Sequence, residues 1–204
     1  MSNFPMVKNS LESYLVQINQ FPLLTQEEEY NLAVRYRKHN DISAAHKLIT
    51  SNLRFVVKVA FEYKSYGVKL ADLIQEGNIG LMMAVKKFNP EKGYRFISYA
   101  IWWIRAYIQN FIIKTWSLVK IGTTQAQKKL FYKIGKVRKA LESDKENEKR
   151  YEVLANDLDV TKEDIIEMEQ RMSARDLSLD TPFDEDRELT HLDLLQEESV
   201  NQEE

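Results

Sequence analysis

Residues 94–111 read YRFISYAIWWIRAYIQNF, from Tyr94 to Phe111. At about 100° per residue, Ile97, Ile101, Ile104 and Ile108, continued by Ile112, share one face of a helix. That stripe alone anchors a helix to a core. Phe96, Tyr99, Trp103 and Tyr107 form a second stripe beside it, and Trp102 points elsewhere again. So much ring surface makes either an unusually thick core element or a binding element. The isoleucines already meet the core's need, and Arg105, Lys114 and Lys120 flank the surplus rings. Rings set among cations suit single-stranded nucleic acid: each stacked base contributes about 1–3 kcal/mol while the cations hold phosphates.

Outward from this helix, almost every segment reads as helical and none alternates as a strand would. Thr25-Gln26-Glu27-Glu28 is a capping-box start. The run Glu27-Glu28-Glu29 reads as helix-start charge favoured by the dipole. Asp41 can cap one long helix running through Ser51–Val57 to about Tyr66, where Gly67 offers a stop. Another helix covers about Leu70 to Phe88, and the loop Asn89–Gly93 separates it from a helix over about Phe96–Thr115. Gly122 marks a joint, after which Thr123 or Thr124 caps a basic helix to about Leu141. Ser143–Arg150 reads as a charged linker, followed by short helices at about Tyr151–Leu158 and Thr161–Ser173. Residues 177–204 are acidic and poor in packing residues, so disorder or dependence on a partner is expected there. The fold class is all-α, with a multi-helix bundle at 1–118, a small three-helix module at 119–176 and the acidic tail at 177–204.

The 204 residues are enough for one large or two small domains, and six Gly and four Pro argue against a loop-rich fold. Zero cysteines exclude disulfides and thiolate metal sites, and no apolar run approaches the roughly 20 residues that span a bilayer. The first residues, MSNFPMVKNS, lack the order of a secretory signal, so a cytoplasmic location away from membranes is expected. The net charge of −2 conceals a strong polarity. Lys86 to Lys139 carries thirteen Lys or Arg and one acid, Glu91, whereas Asp176 to Glu204 carries eleven acids and one Arg. A basic block beside an acidic tail predicts a polyanion-binding face with a segment able to screen it.

Three stretches resemble the sigma-70 family of bacterial transcription initiation factors. They are Ser51–Val57 (SNLRFVV), Asp72–Met82 (DLIQEGNIGLM) and Phe96–Arg105 (FISYAIWWIR), and the likeness runs over roughly residues 8–175. Asp72–Met82 is the most specific, eleven consecutive residues in the family's pattern. Ala126–Tyr132 (AQKKLFY) is similar to the box of the family's heat-shock (RpoH-type) subgroup, with Lys133 and Ile134 where Asn-Leu is usual. Chaperone and protease control would follow from that subgroup. Gln127, Lys128, Lys129, Leu130 and Phe131 would then form a regulatory or polymerase-binding surface, unless Leu130 and Phe131 simply pack the helix.

The resemblance implies a non-enzymatic subunit that binds core RNA polymerase and opens promoter DNA, with no metal and no cofactor. Asp72, Gln75, Glu76, Asn78 and Met82 would dock on the coiled coil of the polymerase clamp, with Leu73, Ile74 and Ile79 buried behind them. Trp102 and Trp103 would act as a wedge at the last paired step of the minus-ten element. Phe88, Tyr94, Phe96, Ser98 and Tyr99, with Lys92 nearby, would hold a flipped non-template adenine, and Asn52, Arg54, Phe55 and Gly77 a second base. Flipping costs a few kcal/mol per base. Two stacked captures with phosphate neutralisation by Arg105, Lys114 and Lys120 are of the size that offsets it.

The chain departs from the family pattern in two places. The Gln and Thr that usually read the upstream base pair are here Ala106 and Gln109, leaving Gln109 as the reader. The His and Glu of the extended minus-ten reader correspond to Thr124 and Gln127. The sequence also ends in the acidic segment, before the helix-turn-helix domain that reads the minus-thirty-five element. Recognition of the minus-ten region alone, with weaker promoter affinity, is therefore expected, and a polymerase decoy is an alternative outcome.

Two other readings compete. Leu154–Ile166 (LANDLDVTKEDII) resembles a stand-alone helix-turn-helix regulator, but Glu163, Asp164, Glu167 and Glu169 suit phosphate-lined DNA poorly. An enzyme lacks support: there is no Gly-rich phosphate loop, and His39, His46 and His191 have no ligand spacing.

Overall fold

The computed structural model describes residues 10–122, 124–141, 155–156, 160–173, 176–182 and 189–195, with the backbone alone at 10 and 135–141. The chain divides into two compact units, Met1–Thr115 and Trp116–Glu204.

The first unit holds α1 (Ser10–Ile18), α2 (Gln26–His39), α3 (Ile42–Thr50), α4 (Leu53–Glu62), α5 (Leu70–Lys87) and α6 (Phe96–Thr115). The expected capping box starts α2: the Thr25 amide donates to Glu28 Oε2 at 2.8 Å and the Glu28 amide donates to Thr25 Oγ1 at 3.3 Å. Asn40, at φ 52°, ends it in the left-handed region. Asp41 caps α3 by accepting from the Ser43 and Ala44 amides at 3.0 and 3.2 Å.

The single long helix expected from Asp41 to Tyr66 is two helices. Asn52 leaves helical geometry at φ −107° and ψ 0°, and its buried side-chain amide donates to the Leu48 carbonyl at 2.7 Å. The Asn side chain competes with the backbone ladder and breaks it there. Lys64–Tyr66 then forms a 3₁₀ turn closed by Gly67 at φ 75°.

α5 and α6 share the most extensive packing in the unit. Two glycines of α5 let the backbones approach. A Cβ on Gly80 would stand 2.8 Å from the Trp103 carbonyl oxygen and 2.9 Å from Ile104 Cα. A Cβ on Gly77 would meet Val56 Cγ1 at 2.5 Å. The buried line of α6 is Phe96, Ala100, Ile104, Ile108 and Ile112. Ile97 and Ile101 are only half-buried, so the core-facing stripe runs through Ala100 where the expectation placed those two isoleucines.

The second unit holds α7 (Gln125–Leu141) and α8 (Lys162–Ser173). Ile121, Leu130, Ile134, Ile165 and Met168 make its core, with Trp116, Ala155, Val160 and Met172 packed against it. Leu130 and Phe131 are fully buried, so these two residues pack α7 and offer no surface. The helix expected at 151–158 and the linker at 143–150 lie outside the described residues, apart from helical Ala155 and Asn156. In the acidic segment, the Leu192 amide donates to Leu179 O at 3.0 Å and the His191 amide to Thr181 O at 3.2 Å, giving the described part local structure of its own. Pro182 and Thr190 form an isolated bridge, and no strand occurs among the described residues. The all-α class holds. No helix among those residues is long and apolar enough to cross a membrane.

Candidate nucleic-acid interface

The surplus rings of α6 form a connected cluster with the loop that precedes it. Phe88 lies beneath, its ring centroid 5.2 Å from Phe96, 5.9 Å from Tyr94 and 5.8 Å from Tyr99. Tyr94 and Tyr99 stack above at 6.1 Å and 27°. Tyr99 meets Trp103 edge-on at 6.4 Å, and Lys87 Nζ sits 4.6 Å over the Trp103 ring. The result is a half-open aromatic shelf with a cation beside it.

Residues grouped by sequence as one base pocket therefore divide by depth. Phe88 and Phe96 are buried supports, 7% and 1% exposed, and offer no stacking face to a ligand. Tyr94 is 39% exposed, Tyr99 and Trp103 are half-buried, and Lys92 and Ser98 are open to solvent. Trp102 is 71% exposed, and nothing among the described residues accounts for so large an apolar surface in water. Of the four residues expected at a second base, Asn52 and Gly77 are buried, Phe55 is half-buried and only Arg54 is exposed.

The loop is held by an ion pair the sequence does not announce. Arg95 Nε donates to Glu29 Oε2 at 2.7 Å and Nη2 to Oε1 at 2.8 Å, a two-pronged contact between residues 66 apart. Glu29 is 5% exposed, so the third glutamate of Glu27–Glu29 is a buried partner while the other two are solvated helix-start charges. This contact holds the Arg95 guanidinium above its ordinary pKa. It also fixes the backbone between Tyr94 and Phe96. A cavity of about 50 Å³ lies alongside, between Gln26 and Tyr30 of α2 and Pro90, Gly93 and Tyr94 of the loop.

The expected phosphate cations fare differently. Lys114 and Lys120 are exposed, the first in the first unit and the second in the second. Arg105 is not a free cation: its Nη2 pairs with Glu62 Oε2 at 3.1 Å, while its Nε is buried with no hydrogen-bond partner among the described residues. Gln109, the expected base reader one turn on, donates from Nε2 to Tyr63 Oη at 3.0 Å. Burial raises the Tyr63 phenol above its usual pKa, against the lowering effect of that bond. Thr124 and Gln127 form a reciprocal cap at the start of α7, with amide-to-side-chain distances of 3.3 and 3.2 Å.

On α5, Asp72 and Gln75 are exposed and Glu76 and Asn78 half-buried. Asn78 donates to Tyr14 Oη at 3.2 Å and to Gln75 Oε1 at 3.3 Å, which ties α5 to α1. Ile79, expected inside, is 44% exposed beside Met82 at 47%. This outward face thus mixes acid, amide and two large apolar side chains. In the second unit Lys129 is exposed and Lys128 half-buried on α7. Asp176 accepts from Ser117 Oγ at 2.8 Å and from the Leu118 amide at 2.7 Å, and this amide bond above all lowers its pKa. Sequence reasoning missed the Glu29, Glu62, Tyr63 and Asp176 contacts, because each joins residues with no periodic or motif relation. Among the described residues no group of acids and histidines could hold a metal.

Residues 48–117 match the family model for Sigma-70 region 2, and residues 9–42 match that for Sigma-70 factor, region 1.2. The chain is 57% identical over 196 residues to the RNA polymerase sigma-C factor of Myxococcus xanthus, covering 95% of this chain and 66% of that one. It is 46% identical over 197 residues to the RNA polymerase sigma factor RpoH of Caulobacter vibrioides, with 95% and 67% covered. The RNA polymerase sigma-B factor of Myxococcus xanthus is 58% identical over 150 residues, 72% of this chain and 61% of its own. The chain thus spans about two thirds of the length of these curated relatives, and on these matches it belongs to the sigma-70 family.

Proposed function

We propose that this chain is a promoter-recognising sigma factor of heat-shock type that acts in the bacterial cytoplasm. It binds core RNA polymerase through α5 and captures the separated non-template strand of the minus-ten element on α6. The observation that carries the reading is Trp102, 71% exposed on α6 next to Trp103, whose ring meets Tyr99 edge-on and carries Lys87 Nζ over it at 4.6 Å.

Melting needs a group that stacks on the last paired step and groups that hold what is released. Trp102 and Trp103 are adjacent on α6, so one ring stands in solvent while its neighbour is braced by Tyr99 and Lys87. A braced ring beside an open one forms a wedge with a fixed root. The open edges of Tyr94 and Tyr99, supported by Phe88, suit a flipped base, whose stacking contributes about 1–3 kcal/mol. T·A-rich steps unstack easily, which lowers the opposing cost. The protein itself does no chemistry in this scheme; nucleotide addition belongs to the polymerase. Asp72, Gln75, Glu76, Ile79 and Met82 face a protein partner, the clamp coiled coil, because mixed acidic and apolar surface suits protein better than phosphate. Lys128 and Lys129 are proposed as a second polymerase contact, and chaperone and protease control as the regulation a heat-shock type would have.

The test is fluorescence anisotropy of a labelled fork-junction DNA, its overhang carrying the non-template minus-ten sequence, with and without core polymerase. Tight binding that needs both proteins and is lost on Trp102→Ala with Trp103→Ala is the expected result. Reversing Glu76 to Lys should abolish co-purification with core. Duplex binding without polymerase would replace this reading with a stand-alone regulator.

A further inference from the structure

The end of α4 lies against Arg105 and Gln109 of α6, the two residues that the family resemblance turns toward a DNA phosphate and a base edge. Glu62 pairs with Arg105, and Tyr63, the next residue, accepts from Gln109, one turn along α6. The last residue of α4 and the cap residue that follows it thus engage an i, i+4 pair on α6. The two contacts differ in kind. The ion pair is open to solvent, with side chains 36% and 49% exposed, and leaves Arg105 Nε buried with no acceptor among the described residues. The amide–phenol contact is sheltered, Tyr63 being 9% exposed.

We propose that Glu62 and Tyr63 are positioning residues for promoter reading: Glu62 competes with a DNA phosphate for Arg105, and Tyr63 sets the orientation in which Gln109 meets a base edge. This deepens the proposed function and rests on it. An exposed carboxylate against guanidinium is a weak pair, so a phosphate with its high local charge density can displace it. Glu62 therefore weakens binding to every sequence alike and keeps Arg105 in place until DNA is present. Tyr63 acts on selectivity. An amide free to turn can offer donor or acceptor to a base pair, whereas one held through Nε2 presents one pattern.

The test uses the full chain with core polymerase and the fork-junction probe, in matched and base-substituted forms. Glu62→Gln should raise affinity for all probes by up to about fivefold at low salt and steepen the log–log salt slope by up to about one. Tyr63→Phe should leave the salt slope alone and reduce the ratio between matched and substituted probes by about two- to ten-fold. Both variants should keep their binding to core, and a thermal melt checks that Tyr63→Phe folds. Should it not fold, the Glu62→Gln slope still decides the first half, and Gln109→Met, which removes the oriented amide but leaves Tyr63, decides the second. Unchanged slope and unchanged ratio, in a background where Arg105→Ala and Gln109→Ala weaken binding, would overturn the inference and leave the function standing. If Arg105→Ala and Gln109→Ala are also silent while Trp102→Ala with Trp103→Ala abolishes binding, these two residues do not face DNA and the inference falls while the function stands; if the tryptophan pair is silent too, the function falls with it.

Discussion

α5 and α6 are the same kind of object on the inside and different objects on the outside. Each buries one line of apolar residues, Leu73, Ile74, Leu81 and Ala84 on α5 and Ala100, Ile104, Ile108 and Ile112 on α6, and they bury those lines partly against each other. Outward, α5 carries Asp72, Gln75, Ile79 and Met82, whereas α6 carries Trp102 and the half-buried Tyr99 and Trp103, with Lys87 over the Trp103 ring. Shared packing fixes where the two faces stand, and the outward chemistry decides what each can hold. One seam thus fixes in one packed pair the two outward faces that are proposed to hold a protein and a DNA strand.

The largest effect should come from breaking that seam. Gly80→Ala places a Cβ inside contact distance of α6 backbone, which cannot turn aside. Overpacking of about 3 kcal/mol, less about 1 kcal/mol gained in helix propensity, predicts a loss near 2 kcal/mol in urea unfolding. Gly77→Ala meets mainly the Val56 methyl, a side chain, and should cost less. Equal losses at the two positions would mean that the backbones are not the limiting contact.

Next comes the ion pair that pins the aromatic loop. Arg95→Ala strands the buried Glu29 carboxylate, and about 2 kcal/mol of stability should go with it. Glu29→Gln keeps an acceptor for Arg95, which is 43% exposed, and should cost about 1 kcal/mol. The reverse order in thermal melts would mean that the pair is held by Arg95 alone.

The two faces of α6 can then be separated. Trp102→Ala should leave stability within about 0.5 kcal/mol of wild type while weakening fork-DNA binding about tenfold. Trp103→Ala should weaken both, since its ring contacts Tyr99 and Lys87, with about 1–2 kcal/mol lost from folding. Loss of stability at Trp102 would show that its exposed ring is structural after all.

These contrasts also show what the sequence could disclose. The extent of α6, its aromatic surplus and the capping boxes at Thr25 and Thr124 are local patterns, and local patterns are written in spacing. The break at Asn52 is also local, but it depends on a side chain choosing the Leu48 carbonyl over solvent, and apolar periodicity runs straight through it. Phe88 and Phe96 read as site residues because ring type was visible and depth was not. Arg105 read as a free cation because its partner, Glu62, lies 43 residues away on another helix. What was illegible is consistently the long-range polar pair, whose members carry no sign of each other.

The smallest effect lies in the second unit, at the residues that follow α6. Asp176 is exposed, yet its carboxylate holds Ser117 and the Leu118 amide, and that bond lowers its pKa below the ordinary carboxylate range. A carboxylate whose folded pKa is depressed contributes stability above its unfolded value of about 3.9 and loses it as pH falls through the lower folded value. Between neutral pH and about 4 the tie should therefore persist, and below that it should weaken. Hydrogen exchange at the Leu118 amide would report this as protection that falls with acid in the wild-type chain. Asp176→Asn, which cannot ionise, should show weaker protection at neutral pH and no acid step there. An acid step of the same size in both chains would place the titrating group elsewhere, and the ordered path of Ser117 and Leu118 would then owe nothing to Asp176.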